Sequence, residues 1–139
     1  MQRSLPLSSP VSWCLLGAAA LFTALALLFL LLPAQGAMLF GVDAADRTAH
    51  AYVRAVGLGD LTLAGYLLLL TLFASARAVL ILLLVTLVIP AGDLSLVAAQ
   101  PGPLRAQLLL HLASAALFGG LAVWVARTGG RHDSHRASR

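Results

Sequence analysis

Lysine, glutamate and asparagine are absent from the 139-residue chain, so its nine basic residues are all arginine and its five acidic residues are all aspartate. Without asparagine there is no acceptor for N-glycosylation. A single cysteine, Cys14, excludes an intramolecular disulfide. Its place in an apolar run predicts a small buried side chain rather than a reactive thiol. Charge is scarce as well: 10% of residues carry it, against roughly 25% in an ordinary soluble domain. With 60% hydrophobic residues and a mean hydropathy of +0.95, the composition is that of an integral membrane protein forming one compact domain. The bias toward Ala, Arg, Gly, Leu and Asp matches a GC-rich genome and points to a bacterial inner membrane.

Four apolar segments stand out, Val11 to Leu32, Tyr52 to Ala74, Ala78 to Ala99 and Leu104 to Ala126. Each approaches the ~20 residues that cross a bilayer as helix. An all-α, four-helix membrane bundle over residues 11–127 is predicted, after a leader of residues 1–10 and before a disordered basic tail, 128–139. The first segment stops at Pro33, and Ala34, Gln35 and Gly36 resemble a signal-peptide cleavage site. Its apolar run exceeds the ~7 to 15 residues of a signal core, which favours an uncleaved signal anchor.

Ser75, Ala76 and Arg77 join the second and third spans as a tight hairpin. Pro90 has no N–H for the carbonyl of Thr86 and is expected to kink the third. Gln100, Pro101, Gly102 and Pro103 form a turn before the fourth. With four spans the termini share a side, which collects Arg3, Arg77, Arg127, Arg131, Arg136 and Arg139; the other side holds Arg47 and Arg105 near Asp43 and Asp46. The positive-inside rule then puts both termini in the cytoplasm. The arginines are dispersed and lack interleaved aromatics, so the high pI reflects membrane orientation and not nucleic-acid binding. Tyr52, Trp13 and Trp124 read as interfacial anchors.

Inside the spans lie Arg54, Asp60, Asp93 and His111. An ionisable group in hydrocarbon must face protein or a wet cavity, which makes it a site candidate. In the threaded orientation Arg54 lies about 3 Å, Asp60 about 12 Å, Asp93 about 9 Å and His111 about 10 Å below the outer surface. Three helices thus deliver polar groups to one half of the bilayer. Gly57, Ala64 and Gly65 border the polar edge of the second span and would let a neighbouring helix approach. Arg54 balances only one of the two aspartates, so the other needs a held proton, protonated His111 or a bound cation. Two readings of the set compete: an interhelical salt-bridge network that fixes packing, or a ligand or proton site. His111 alone is more often a hydrogen-bonded structural histidine. His132 and His135 flank Asp133 but lack a third ligand, so no metal is expected, and Gly119 and Gly120 are expected to aid helix contact.

The run Arg54-Ala-Val-Gly57-Leu-Gly-Asp60, followed by Gly65 and, one helix later, by Asp93 after Pro90, resembles small four-helix membrane proteins of the DoxX-like group. That resemblance implies a four-helix bundle with an arginine and acids near one membrane face, and no established reaction. Three functions fit the residues. A small membrane protein or accessory subunit could hold a lipid-like or quinone-like molecule at Arg54, Asp60, Asp93 and His111. An acid/base enzyme, isomerase-like, could use Asp60 or Asp93 as general acid and His111 as relay. A proton-coupled transporter subunit could use the broken third helix. The expected partners are the lipid bilayer, a second copy or another membrane protein, and no nucleic acid; no cofactor can be named.

Overall fold

The computed structural model describes residues 5–39, 46–99 and 105–134. Among them run six α-helices, α1 (Pro10–Leu31), α2 (Pro33–Leu39), α3 (Arg47–Phe73), α4 (Ala76–Thr86), α5 (Val88–Ala98) and α6 (Arg105–Ser134), with no β-strand. The expected turn at Gln100 to Pro103, Asp43, Arg3, His135, Arg136 and Arg139 lie outside the described residues.

Short polar side chains set the helix starts. Ser9 precedes Pro10 and its Oγ accepts from the Ser12 N–H at 3.3 Å, while the Ser12 hydroxyl donates to the Pro6 carbonyl at 2.9 Å. Proline in the first helical position needs no hydrogen-bond partner for its nitrogen. Asp46 Oδ1 accepts from the Ala49 N–H at 2.7 Å, so α3 begins at Arg47, five residues before the start that hydropathy gives. Ser75 Oγ likewise accepts from Ala78 N–H at 3.3 Å and starts α4. Each cap satisfies an N–H that the helix itself cannot.

Four helical stretches are long and apolar enough to cross a membrane: Pro10–Leu31, Arg47–Phe73, Ala76–Leu96 and Leu108–Thr128. Their 21 to 27 residues extend about 31 to 41 Å, against a hydrocarbon core of ~30 Å. Three hydroxyls within them bond to their own helices. Thr23 donates to Ala19, Thr62 to Leu58 and Ser95 to Ala91, each at 2.9 Å. This spares the lipid phase an unpaired donor.

The third stretch holds two helices, α4 and α5, with Leu87 between them, and its hydrogen bonds run through that point: Leu87 N–H donates to the Leu83 carbonyl at 3.3 Å and Ala91 N–H to the Leu87 carbonyl at 3.2 Å. Three residues on, Pro90 cannot donate to the carbonyl of Thr86, which loses its ladder partner. α6 continues through Ser134, past Thr128, where the sequence puts the start of the tail. Thr128 donates back to the carbonyls of Trp124 and Val125, both at 3.1 Å.

The chain divides into two compact units, Leu16–Leu68 and Met1–Leu15 together with Leu69–Arg139. In the first, α1, α2 and α3 meet at Phe29. A Cβ on Gly57 would lie 2.9 Å from Phe29 Cβ and 3.1 Å from the Ala26 carbonyl oxygen, and a Cβ on Gly36 would strike the Phe29 ring. The first span ends at Leu31, as expected from Pro33, and Pro33 also opens α2, which buries Gly36 and Ala37. In the second unit α6 packs on α4 and α5. Val79, Leu83 and Thr86 of α4 are buried at i, i+4, i+7 spacing, and Phe118, Leu121, Ala122 and Val125 form the matching stripe on α6. In a bilayer such stripes hold by close van der Waals packing, since lipid tails are as apolar as leucine.

Hydropathy misplaced one side chain. Cys14 is exposed, beside the exposed Trp13, because a thiol on a spanning helix can face lipid as readily as protein. Trp124 and Tyr52 are also exposed.

Candidate functional site

Asp93 and His111 approach each other between α5 and α6. His111 Nδ1 lies 3.4 Å from Asp93 Oδ2, longer than a tight N–H···O bond of about 2.7–3.2 Å but within ion-pair range. The imidazole is mostly covered, with 12% of its side chain exposed, whereas 42% of the Asp93 side chain stays open. Both lie close to the ends of their apolar stretches: Asp93 three residues before Leu96 and His111 three residues after Leu108. That is about 5 Å inside, shallower than the depth threaded from sequence.

Local sequence explains how α5 presents its carboxylate. Ser95 returns its hydroxyl to the Ala91 carbonyl at 2.9 Å, so it does not compete for Asp93. Ile89 and Leu96 lie one turn to either side on the same face and are exposed. Gly92 has open space where a Cβ would be. The carboxyl group therefore stands on an apolar, uncrowded surface with the imidazole at its flank.

Arg54 and Asp60 belong to the other unit. Arg54 is exposed on α3 two residues after Tyr52, and Asp60 is half-buried and engaged. Gly57, between them, is the close contact with α1 described above. Ala64 is buried, while Gly65 has no neighbour within 4 Å of a Cβ, and the same holds for Gly119 and Gly120. Those three glycines are not where helices touch through missing side chains. Pro90 is buried.

Two polar atoms escaped the reading from sequence. His50 Nε2 and Thr71 Oγ1 are buried without a hydrogen-bond partner. His50 precedes the hydropathy boundary at Tyr52 and falls outside the span drawn from it; the Asp46 cap, visible as an aspartate before an apolar run, is the signal that includes it in the helix. Thr71 looks like any threonine in a span. Among the described residues no group of three His, Cys, Asp or Glu side chains could hold a metal ion.

The chemistry open to the Asp93 and His111 pair is limited and definite. A carboxylate beside Nδ1 fixes the ring's orientation and tautomer, and the pair can share a proton. It can accept hydrogen bonds, hold a polar head at the membrane edge, or pass a proton.

Comparison with known proteins adds one match. The model of a family described as a domain of unknown function, DUF4267, matches residues 19–125, a range that holds Arg54, Asp60, Asp93 and His111. No curated protein and no solved structure matches the chain.

Proposed function

The chain belongs to the DUF4267 family, and from that premise we propose that it is a small multi-pass membrane protein that holds a lipid-like or quinone-like molecule at Asp93 and His111, alone or as an accessory subunit. One observation carries this reading. A carboxylate 42% exposed on a membrane-spanning helix, with an imidazole 3.4 Å away, is costly in lipid unless something polar covers it. The arginine distribution supports cytoplasmic termini and an outward-facing pair, and the residue bias supports a bacterial inner membrane. The order of Arg54, Asp60, Pro90 and Asp93 supports kinship with the DoxX-like group, and the donor that Pro90 lacks supports a kink there in the third span. Arg54 and Asp60 join the candidate site on their threaded depth alone, Arg54 to bind an anionic or carbonyl group and Asp60 to orient it.

Purification in mild detergent followed by organic extraction and mass spectrometry tests the reading. The wild-type protein should carry an amphiphile in near-stoichiometric amount that the Asp93→Leu/His111→Leu double variant has lost. Equal extracts from both would end it.

The same pair supports an enzymatic alternative, acid/base catalysis on an apolar substrate, because a carboxylate that orients an imidazole is the arrangement of a proton relay. Solvent deuterium entering the carbon skeleton of the retained amphiphile only in the presence of His111 would favour it over simple binding.

A further inference from the structure

Asp93 restricts what its ligand can be, an inference that rests on the binding reading above. Oδ2 faces His111 Nδ1 at 3.4 Å. A proton shared along that contact, whether it resides on nitrogen or on oxygen, leaves Oδ1 as an acceptor with no hydrogen to give. The open part of the side chain therefore asks for a donor. α5 does not supply one: the nearest hydroxyl on its exposed surface, Ser95, is committed to the Ala91 carbonyl at 2.9 Å. Nor does the apolar stripe formed by Ile89 and Leu96, exposed at 58% and 68%.

The surroundings define the rest of the molecule. Asp93 lies about 5 Å inside the end of its apolar stretch, at the depth where lipid heads give way to acyl chains. Ile89 and Leu96 flank it with aliphatic surface, and Gly92 leaves room beside it. We infer that the ligand of Asp93 is a lipid whose polar head carries an N–H or O–H donor, seated with its head on the Asp93 carboxyl and its hydrocarbon along Ile89 and Leu96. An ammonium head and a free glycerol hydroxyl offer the same chemistry, whereas a fully methylated or esterified head does not.

Methylation of the head makes a clean test on the unaltered protein. Wild-type protein is taken from vesicles holding equal amounts of phosphatidylethanolamine and phosphatidylcholine with identical acyl chains, and the lipids retained are counted by native mass spectrometry. A second arm pairs diacylglycerol with its O-acetyl ester, which separates an alcohol head from an ammonium head. A preference of about tenfold for the donor-bearing member of either pair is expected, the size of one hydrogen bond to a charged group. Asp93→Leu should erase it while the melting temperature in detergent shows the fold intact, and Asp93→Ala serves if the leucine variant does not fold. Equal retention within both pairs, or a preference that survives loss of the carboxyl, overturns the donor requirement and leaves lipid binding standing. Retention of no lipid at all overturns the binding reading itself. A lipid-free dimer mass in the same spectrum would instead assign the covering donor to a second copy of this chain.

Discussion

Phe29 and Asp93 mark two different ways in which helices of this chain meet. Around Phe29, contact is made by what is missing: Gly36 and Gly57 have no Cβ, and α2 and α3 close onto α1 until backbone and ring touch. Around Asp93, α5 and α6 meet through polar ends 3.4 Å apart, while the neighbouring Gly92 faces open space. The first joint is closed: Phe29 is 2% exposed, and Gly36 and Gly57 are buried. The second is partly open, with 42% of the Asp93 side chain exposed. Glycine in a spanning helix is thus a poor guide to contact unless its neighbours are known, and a charged residue is a better guide to an exposed opportunity.

The largest test of that contrast is at Gly57. Gly57→Ala would bring a methyl group within 3.1 Å of a backbone carbonyl, which cannot swing aside. A loss of about 1–3 kcal/mol is expected, as for other overpacked sites. Gly65→Ala, with nothing within 4 Å, should be neutral or gain up to about 1 kcal/mol from helix propensity. Unfolding in detergent, followed by circular dichroism, measures both. Gly36→Ala should fall between them, because the Phe29 ring in its way can rotate, and Phe29→Leu should relieve it. If the Gly57 and Gly65 variants melt alike, the closed joint around Phe29 is not a joint.

Much of this architecture is legible in the residues, for a simple reason. A bilayer demands about twenty apolar residues per span, and hydropathy therefore finds α1, α3, the paired α4 and α5, and α6 to within a few residues at most ends. The caps move the boundaries: Asp46 starts α3 before its apolar run, and α2 hides behind Pro33, because proline is as good an opening residue as a stop. Facing is harder. In water an apolar side chain points inward, but in lipid both faces of a helix are apolar, so nothing in the composition around Cys14 says that it faces out. Depth follows from counting residues and rotation does not. Counting put Asp93 and His111 on one level, which their contact requires; it could not tell that Gly65 faces open space and Gly57 does not.

A smaller effect is expected at the polar joint. In a double-mutant cycle of Asp93→Asn and His111→Gln, the coupling should be about 0.5–1 kcal/mol, the range of a partly exposed ion pair. Adding Asp60→Asn to the cycle asks whether the depth argument has force: coupling between Asp60 and Asp93 above about 0.5 kcal/mol would join the two carboxylates in one site. Strict additivity would confine the site to Asp93 and His111. If Asp93 and His111 themselves prove additive, the open joint owes its stability to apolar packing alone, and the contrast with Phe29 loses its polar half.

The smallest change concerns a hydroxyl that neither joint uses. Thr71 is fully buried and its Oγ1 has no hydrogen-bond partner, whereas Thr62, on the same helix, donates to the Leu58 carbonyl at 2.9 Å. Valine has the shape of threonine without the polar atom, so Thr71→Val removes an unsatisfied group and leaves packing unchanged. Stabilisation of about 0.5–1 kcal/mol is expected, the low end of the cost of a buried unpaired hydroxyl. Thr62→Val gives up a made bond and should be neutral or slightly destabilising. A melting temperature that rises for Thr71→Val and not for Thr62→Val would show that the buried Thr71 hydroxyl costs stability as an unpaired group. A fall at Thr71 would mean that its hydroxyl has a partner in the bilayer, which makes α3 a second place, away from Asp93, where a polar group is met from outside its own helix.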